Sequence, residues 1–218
     1  MVSRECLLIV FAKAPIAGRS KTRLIPALGE EGAAALQNLL IEHTIENLLC
    51  PTKWRTQLCV TERHSVFDSL CAEHGITHTI QRGKDLGARM FHALTDAHKH
   101  YDRVVLVGTD CPSLRQQHIV KAFQQLQDGA DYVIAPAFDG GYVLIGSVVD
   151  IAAMFELIAW GGETVLSQTL KQAARHNVNV KLLETLQDID RPQDLLSLTE
   201  LESFQAFASE CPSPPGLR

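Results

Sequence analysis

The stretch "KAPIAGRSKTR" gathers Lys13, Arg19, Lys21 and Arg23 around Gly18, immediately after the apolar run "CLLIVFA". Basic side chains beside a glycine-containing turn suit phosphate. The turn exposes backbone N–H groups, and Lys21 and Arg23 can supply charge-assisted hydrogen bonds to the oxygens. The same composition also describes a solvated basic loop. A Walker A loop is excluded, because that motif ends in Gly-Lys-Ser/Thr and here Gly18 is followed by Arg19.

Acidic residues recur at comparable positions. In "VVLVGTDCPSL", Gly108 and Asp110 stand where an apolar run ends. A carboxylate there can hold a hard divalent cation that bridges phosphates, or it can cap the following turn. In "APAFDGGYVLIG", Asp139 is followed by Gly140, Gly141 and Tyr142. Asp-Gly between two strand-like runs is a hairpin signal, while two glycines beside a carboxylate also let a ligand approach the backbone. In "LQDIDRPQDLL", Asp190 reads as a helix cap ahead of Pro192. That leaves Asp188 unexplained and either aspartate open as a metal ligand. Gln81 in "IQRGKDLGARM" offers a donor and an acceptor to a nucleobase edge, or simply ends a strand. Trp160 in "WGGETVL" can stack on an acceptor or fill the core, and Glu163 follows it. Asp139, and after it Glu163, can orient or deprotonate an acceptor hydroxyl.

Side chains so far apart in sequence meet only if the elements bring them together. Strand-like runs are expected at Cys6–Ala12, Thr56–Thr61, Thr77–Gln81, Arg103–Val107, Tyr132–Pro136, Tyr142–Gly146 and Val178–Leu183. Helical periods alternate with them at Glu31–Leu49, His64–His74, Leu86–His100, Gln116–Gln127, Glu163–Arg175 and Gln193–Phe207. This alternation indicates βαβ units and a mostly parallel sheet, with "CLLIVFA" and "RVVLV" buried on both faces. Ligands of such sheets bind outside the carboxyl ends of the strands, where the basic loop, Asp110 and the other candidates fall.

A chain of 218 residues with 46% hydrophobic content can bury one sizeable core. Its net charge of −5 argues against nucleic acid as a partner, so an anion site must come from local clustering. No apolar run approaches bilayer length. No leader pattern is visible. The six cysteines form no CxxC pair and suit reduced thiols in the cytoplasm. One domain over 1–208, followed by a flexible Pro- and Ser-rich tail over 209–218, is the expected organisation.

In this order, "FAKAPIAGRSKTRL", "DLGARM", "GTDCPSL", "PAFDGGYVLIG", the Trp160–Glu163–Thr164 segment and "DIDRPQDL" resemble the glycosyltransferase-like family known as radical-SAM/selenodomain-associated transferases. The likeness runs from about residue 7 to 195. A more distant similarity connects it to 2-phospho-lactate and molybdopterin guanylyltransferases. The resemblance implies a three-layer α/β/α fold with a mostly parallel central sheet, of the GT-A (nucleotide-diphospho-sugar transferase) type. It implies that Lys13, Gly18, Lys21 and Arg23, with Ala12 and Gly108 at the strand ends, handle nucleotide phosphates. Gln81 and Gly87 would lie near the base. Asp110 would bind Mg²⁺ or Mn²⁺, with Asp188 or Asp190 as a further ligand. Asp139 would sit at the reacting end, beside acceptor positions Gly140, Gly141, Tyr142, Trp160 and Glu163. Asp110 lacks the Asp-x-Asp partner of typical metal-dependent glycosyltransferases, so a second ligand must come from elsewhere, with Asp139, Asp188 or Asp190 as candidates. The expected activity is metal-assisted transfer from a nucleotide sugar to a small acceptor, by a cytoplasmic monomer or homodimer. Nucleotidyl transfer with release of pyrophosphate and a non-catalytic nucleotide-binding module are the alternatives.

Overall fold

The fold is that of a computed structural model, which describes residues 6–200 together with Phe204 and Phe207. Residues 209–218, the expected flexible tail, lie outside the described residues. Strands β1 (Cys6–Ala12), β2 (Arg55–Val60), β3 (Thr77–Ile80), β4 (Arg103–Gly108), β5 (Tyr132–Pro136), β6 (Tyr142–Ser147) and β7 (Val180–Leu182) form one sheet in the order β3-β2-β1-β4-β6-β5-β7. β1 lies between β2 and β4 and is parallel to both. β6 runs antiparallel to its neighbours β4 and β5, and β5 pairs in parallel with β7. The mostly parallel sheet therefore agrees with the alternation in the sequence. Val104, Val105, Leu106 and Val107 of β4 are all buried, as a strand covered on both faces requires.

Helices α1 (Ile25–Leu48), α2 (Ser65–His74), α3 (Leu86–His98), α4 (Gln116–Gln127) and α5 (Val165–Arg175) make the outer layers. One core cluster joins α1, α2 and α4 to one face of the sheet through Ile41, Phe67 and Ile119. A second joins α3 and α5 to the other face through Met90, Leu94 and Ala173. Among the described residues no helix is long and apolar enough to cross a membrane. Cys59 and Cys111 are buried thiols that burial pushes up in pKa.

The structure moves several expected boundaries. α1 begins at Ile25, where Pro26 suits a first turn, but Gly29, with φ +71° and ψ 172°, is non-helical and kinks it, so a short first segment precedes the helix expected from Glu31. β7 is shorter than expected: the Val178 N–H closes the end of α5 on the Ala173 carbonyl, 2.9 Å away. Within the helical period expected at Gln193–Phe207, a 3-10 helix spans Pro192–Glu200, and Phe204 and Phe207 are α-helical. Asp194 takes the capping role foreseen for Asp190, accepting the N–H groups of Asp190 at 3.0 Å and Arg191 at 2.7 Å. Asp139-Gly140 does join the antiparallel strands β5 and β6, so the hairpin reading of that stretch holds.

Candidate active site

The chain runs outward from β1 to β2 and β3, then crosses back along α3 to β4 on the other side of β1. That reversal opens a crevice at the carboxyl ends of β1 and β4, the usual ligand position in an open α/β sheet. A cleft of about 480 Å³ lies there. Ala12, Lys13, Lys21 and Arg23 line it from the first loop, Gly108 and Asp110 from the end of β4, and Gln81 and Asp190 from two further loops. These eight candidates from four distant segments are thus brought together.

Lys21 is the most constrained of them. Its φ of +47° and ψ of +41° place a non-glycine residue in the left-handed region, a conformation costing roughly 1–2 kcal/mol. From there the chain enters a short 3-10 turn, Thr22–Leu24, and the lysine side chain is 3% exposed. Its ammonium donates to the Ile189 carbonyl and pairs with Asp110 Oδ1 at 2.8 Å. Ile189 is itself fixed, its N–H donating to the Asp110 carbonyl at 2.7 Å. Arg23 pairs with Asp190. Arg19 is drawn away to Glu62 at 2.8 Å. Gly18, with φ +74°, sits beside the Glu30 carboxylate and does not line the cleft. Lys13 is exposed and forms no ion pair among the described residues.

Other candidates have structural commitments. The Gln81 amide donates to the Cys59 carbonyl at 2.9 Å through its nitrogen. Gly87 lies under Trp160, whose ring atoms would be 2.4 Å from an added Cβ. Trp160 stacks on Phe155, with centroids 6.5 Å apart, and meets Tyr142 edge-on. Both therefore belong to the packing between α3 and the segment before α5 rather than to the cleft lining. Gly140 has φ +87°, and a Cβ there would come within 2.0 Å of the Glu163 carbonyl oxygen. Asp139 accepts the Gly141 N–H at 2.8 Å through Oδ1 and remains exposed. Glu163 is also exposed.

Asp188 reports how these acids face one another. Burial, followed by the charges of Asp139, Asp110 and Asp190, pushes its carboxyl up to about 6. Four aspartates on one edge are the all-oxygen, anionic donor set that a hard divalent cation takes, and the mutual repulsion is what such a cation would relieve. In kind, then, the residues fit. In position they are not yet assembled: among the described residues no three carboxylates, histidines or cysteines stand close enough to hold a metal. Asp110 and Asp190 instead carry the side chains of Lys21 and Arg23.

The cleft also contains residues that the sequence reading passed over. Arg89 on α3 lines it, its Nε donating to the Gly83 carbonyl at 3.2 Å. Buried Gln37 donates to Thr109 Oγ1 at 3.2 Å. Gln37 carried a signal: it is polar between Leu36 and Leu40 on the buried stripe of α1, where a polar group needs a partner.

Among curated proteins none matches the chain. Solved structures do. A crystal structure from Desulfovibrio desulfuricans, provisionally named a nucleotide-diphospho-sugar transferase, is 32% identical, covers 96% of this chain and 95% of its own, and superposes with a TM-score of 0.83. The inositol-1-phosphate CTP transferase of T. maritima is 14% identical over 97% of this chain and 100% of that one, with a TM-score of 0.59. A Mycobacterium tuberculosis protein solved as a complex with manganese is 16% identical over 90% and 99%, with a TM-score of 0.54. The latter two similarities show the shared fold, the three-layer architecture with a mostly parallel sheet. The model of one family matches residues 44–162, more than half of the sequence, and the chain belongs to it: the family described as "Uncharacterized protein conserved in bacteria (DUF2064)".

Proposed function

We propose that this protein is a transferase that uses a nucleotide-activated donor, and that it transfers a glycosyl group from a nucleotide sugar to a small acceptor. The observation that carries the proposal is the cleft at the carboxyl ends of β1 and β4, where a basic loop and Asp110 converge. The 32% identical relative named as a nucleotide-diphospho-sugar transferase supports the glycosyl reading. The similarity in fold to an inositol-1-phosphate CTP transferase keeps nucleotidyl transfer as the second.

In this reading Lys13, with Lys21 and Arg23 once released, neutralises the donor's phosphates, and Arg89 closes the α3 side of the cleft. Gln81 offers its oxygen to an amino or imino group of the base. Asp110, with Asp188 or Asp190, would hold Mg²⁺ or Mn²⁺, which supplies positive charge to the leaving diphosphate. Asp139 keeps Oδ2 free while Oδ1 is anchored on Gly141, so it can take the proton of an acceptor hydroxyl. One domain over 1–208, acting in the cytoplasm as a monomer or homodimer, completes the proposal.

The test is incubation with a panel of nucleotide sugars and nucleoside triphosphates in Mn²⁺. Release of a nucleoside diphosphate marks glycosyl transfer, and release of pyrophosphate marks nucleotidyl transfer. Asp110→Ala should lower turnover at least about 100-fold, the usual order for losing charge stabilisation at a reacting centre. If no donor is consumed and none raises the melting temperature, the reading is wrong.

A further inference from the structure

Two ion pairs close the cleft on itself. Lys21 and Arg23 stand two positions apart at one short turn, and their partners Asp110 and Asp190 come from the turn after β4 and from the segment that follows β7. The Lys21 side chain is 3% exposed, yet Asp110 is 48% exposed. The acid is therefore open to solutes while the ammonium is shut behind it. Left-handed backbone at Lys21 and the second hydrogen bond to Ile189 hold the ammonium there. A phosphate must compete with Asp110 and the Ile189 carbonyl for that ammonium, and a cation cannot bind Asp110 at full strength while the ammonium neutralises it.

We infer that Lys21 and Arg23 act as internal cations that pair with Asp110 and Asp190 and exchange partners when substrate binds: the aspartates pass to the divalent cation and the two basic side chains pass to phosphate. This rests on the reading of the cleft as a metal-nucleotide site. It adds a coupling that neither loop nor acids would have alone. Each ligand frees the protein group that the other needs, so cation and phosphate bind with positive cooperativity, and by linkage the effect is reciprocal. Such an exchange also explains why the acidic edge is not assembled in the described structure. Two of its members, Asp110 and Asp190, are held by the loop, whereas Asp139 is anchored on the Gly141 N–H. The positioning role of Lys21 differs from that of a plain phosphate ligand, which would leave cation affinity untouched.

The experiment uses the full chain and two probes measured separately, Mn²⁺ alone by electron paramagnetic resonance and inorganic pyrophosphate alone, metal-free, by calorimetry. Lys21→Met removes the internal cation from Asp110, and Mn²⁺ should bind roughly five- to tenfold tighter than to the wild type, the range expected for breaking a charge-assisted pair with one partly exposed member. Asp110→Asn releases the ammonium, and pyrophosphate should bind tighter by a similar factor. Thermal melts confirm folding. If Lys21→Met does not fold, Asp110→Asn decides alone, since its side chain is about half exposed. A gain below about threefold in the folded variants, or a loss, overturns the exchange. Failure of the underlying reading looks different: the wild type would then bind no nucleotide even with Mn²⁺ present. If wild type binds nucleotide with Mn²⁺ but neither variant gains, the site stands and the exchange falls.

Discussion

Gly140 shows how one residue joins the hairpin to the start of α5. Its φ of +87° already favours glycine, and an added Cβ would lie 2.0 Å from the Glu163 carbonyl oxygen, which is backbone and cannot swing aside. The same glycine's carbonyl accepts the Leu166 N–H at 2.9 Å, so the start of α5 is tied to the turn. Gly141, by contrast, would meet only the Asp139 side chain, at 3.1 Å, without a positive φ. Gly140→Ala should therefore destabilise the protein by roughly 2–4 kcal/mol, combining backbone strain with displacement of α5. Gly141→Ala should cost no more than about 1 kcal/mol. Urea unfolding of the two variants checks the contrast, and equal losses would mean that the Glu163 contact is not a constraint.

At the scale of elements, α3 links the cleft to the packing behind it. Asp85 caps the helix by accepting the Ala88 N–H at 2.8 Å, Arg89 faces the cleft, and Gly87 supports Trp160. A side chain at 87 would overlap the indole, so Gly87→Ala must push Trp160 off Phe155. Trp54, the other tryptophan, is fully buried with its indole N–H on the Leu48 carbonyl at 3.1 Å. It provides a constant background, and a shift of the emission maximum in Gly87→Ala reports Trp160 alone. An unchanged spectrum would show that the ring can stay where it is. The strands and helices around this junction were legible because apolar periodicity and turn residues are local properties: β1, β5 and α4 have the bounds expected from their runs. That Asp110 and the basic loop share a cleft was legible too, because both follow parallel strands. What the sequence could not convey is partner choice. Nothing local says that Lys21 meets Asp110 across 89 positions of chain, that Asp194 rather than Asp190 makes the cap, or that Gly87 is kept small by a tryptophan 73 residues away. Those contacts depend on tertiary placement, as does the burial of Gln37.

For the molecule as a whole, pH acts through opposing groups in different layers. His43 on α1, His98 on α3 and His118 on α4 have their pKa lowered, in each case chiefly by burial. His98 also bridges elements, its Nε2 within 2.8 Å of Ser147 Oγ and its Nδ1 within 3.3 Å of the Tyr101 carbonyl. His43 Nε2 lies 2.9 Å from the Pro112 carbonyl, next to the turn that carries Asp110. The unfolded chain takes up protons at its histidines near pH 6.5 while the folded chain resists them. The stability these three contribute is complete above that pH and is lost as pH falls through their lowered folded values. Asp188 has the opposite sign. Its carboxyl is raised to about 6, so the fold binds its proton more tightly than the unfolded chain, whose value is near 3.9. Its contribution is present at low pH and disappears as pH rises from about 4 to 6. In metal-free buffer the melting temperature should therefore fall as pH drops from 7.5 toward 6, where the three histidines outweigh the single Asp188 carboxyl that starts to take up its proton there. Below 6 the decline should slacken, as Asp188 offsets more of it. His98→Gln, which keeps a polar group for Ser147, should flatten the upper part of the curve. Asp188→Asn should raise the melting temperature at pH 7.5, because it removes a carboxylate held against Asp139, Asp110 and Asp190, and should steepen the lower part. Melting curves of the three proteins from pH 4 to 8 separate these contributions. If Asp188→Asn lowered the melting temperature at neutral pH, the acidic edge would be bound together by attractions stronger than its own repulsion.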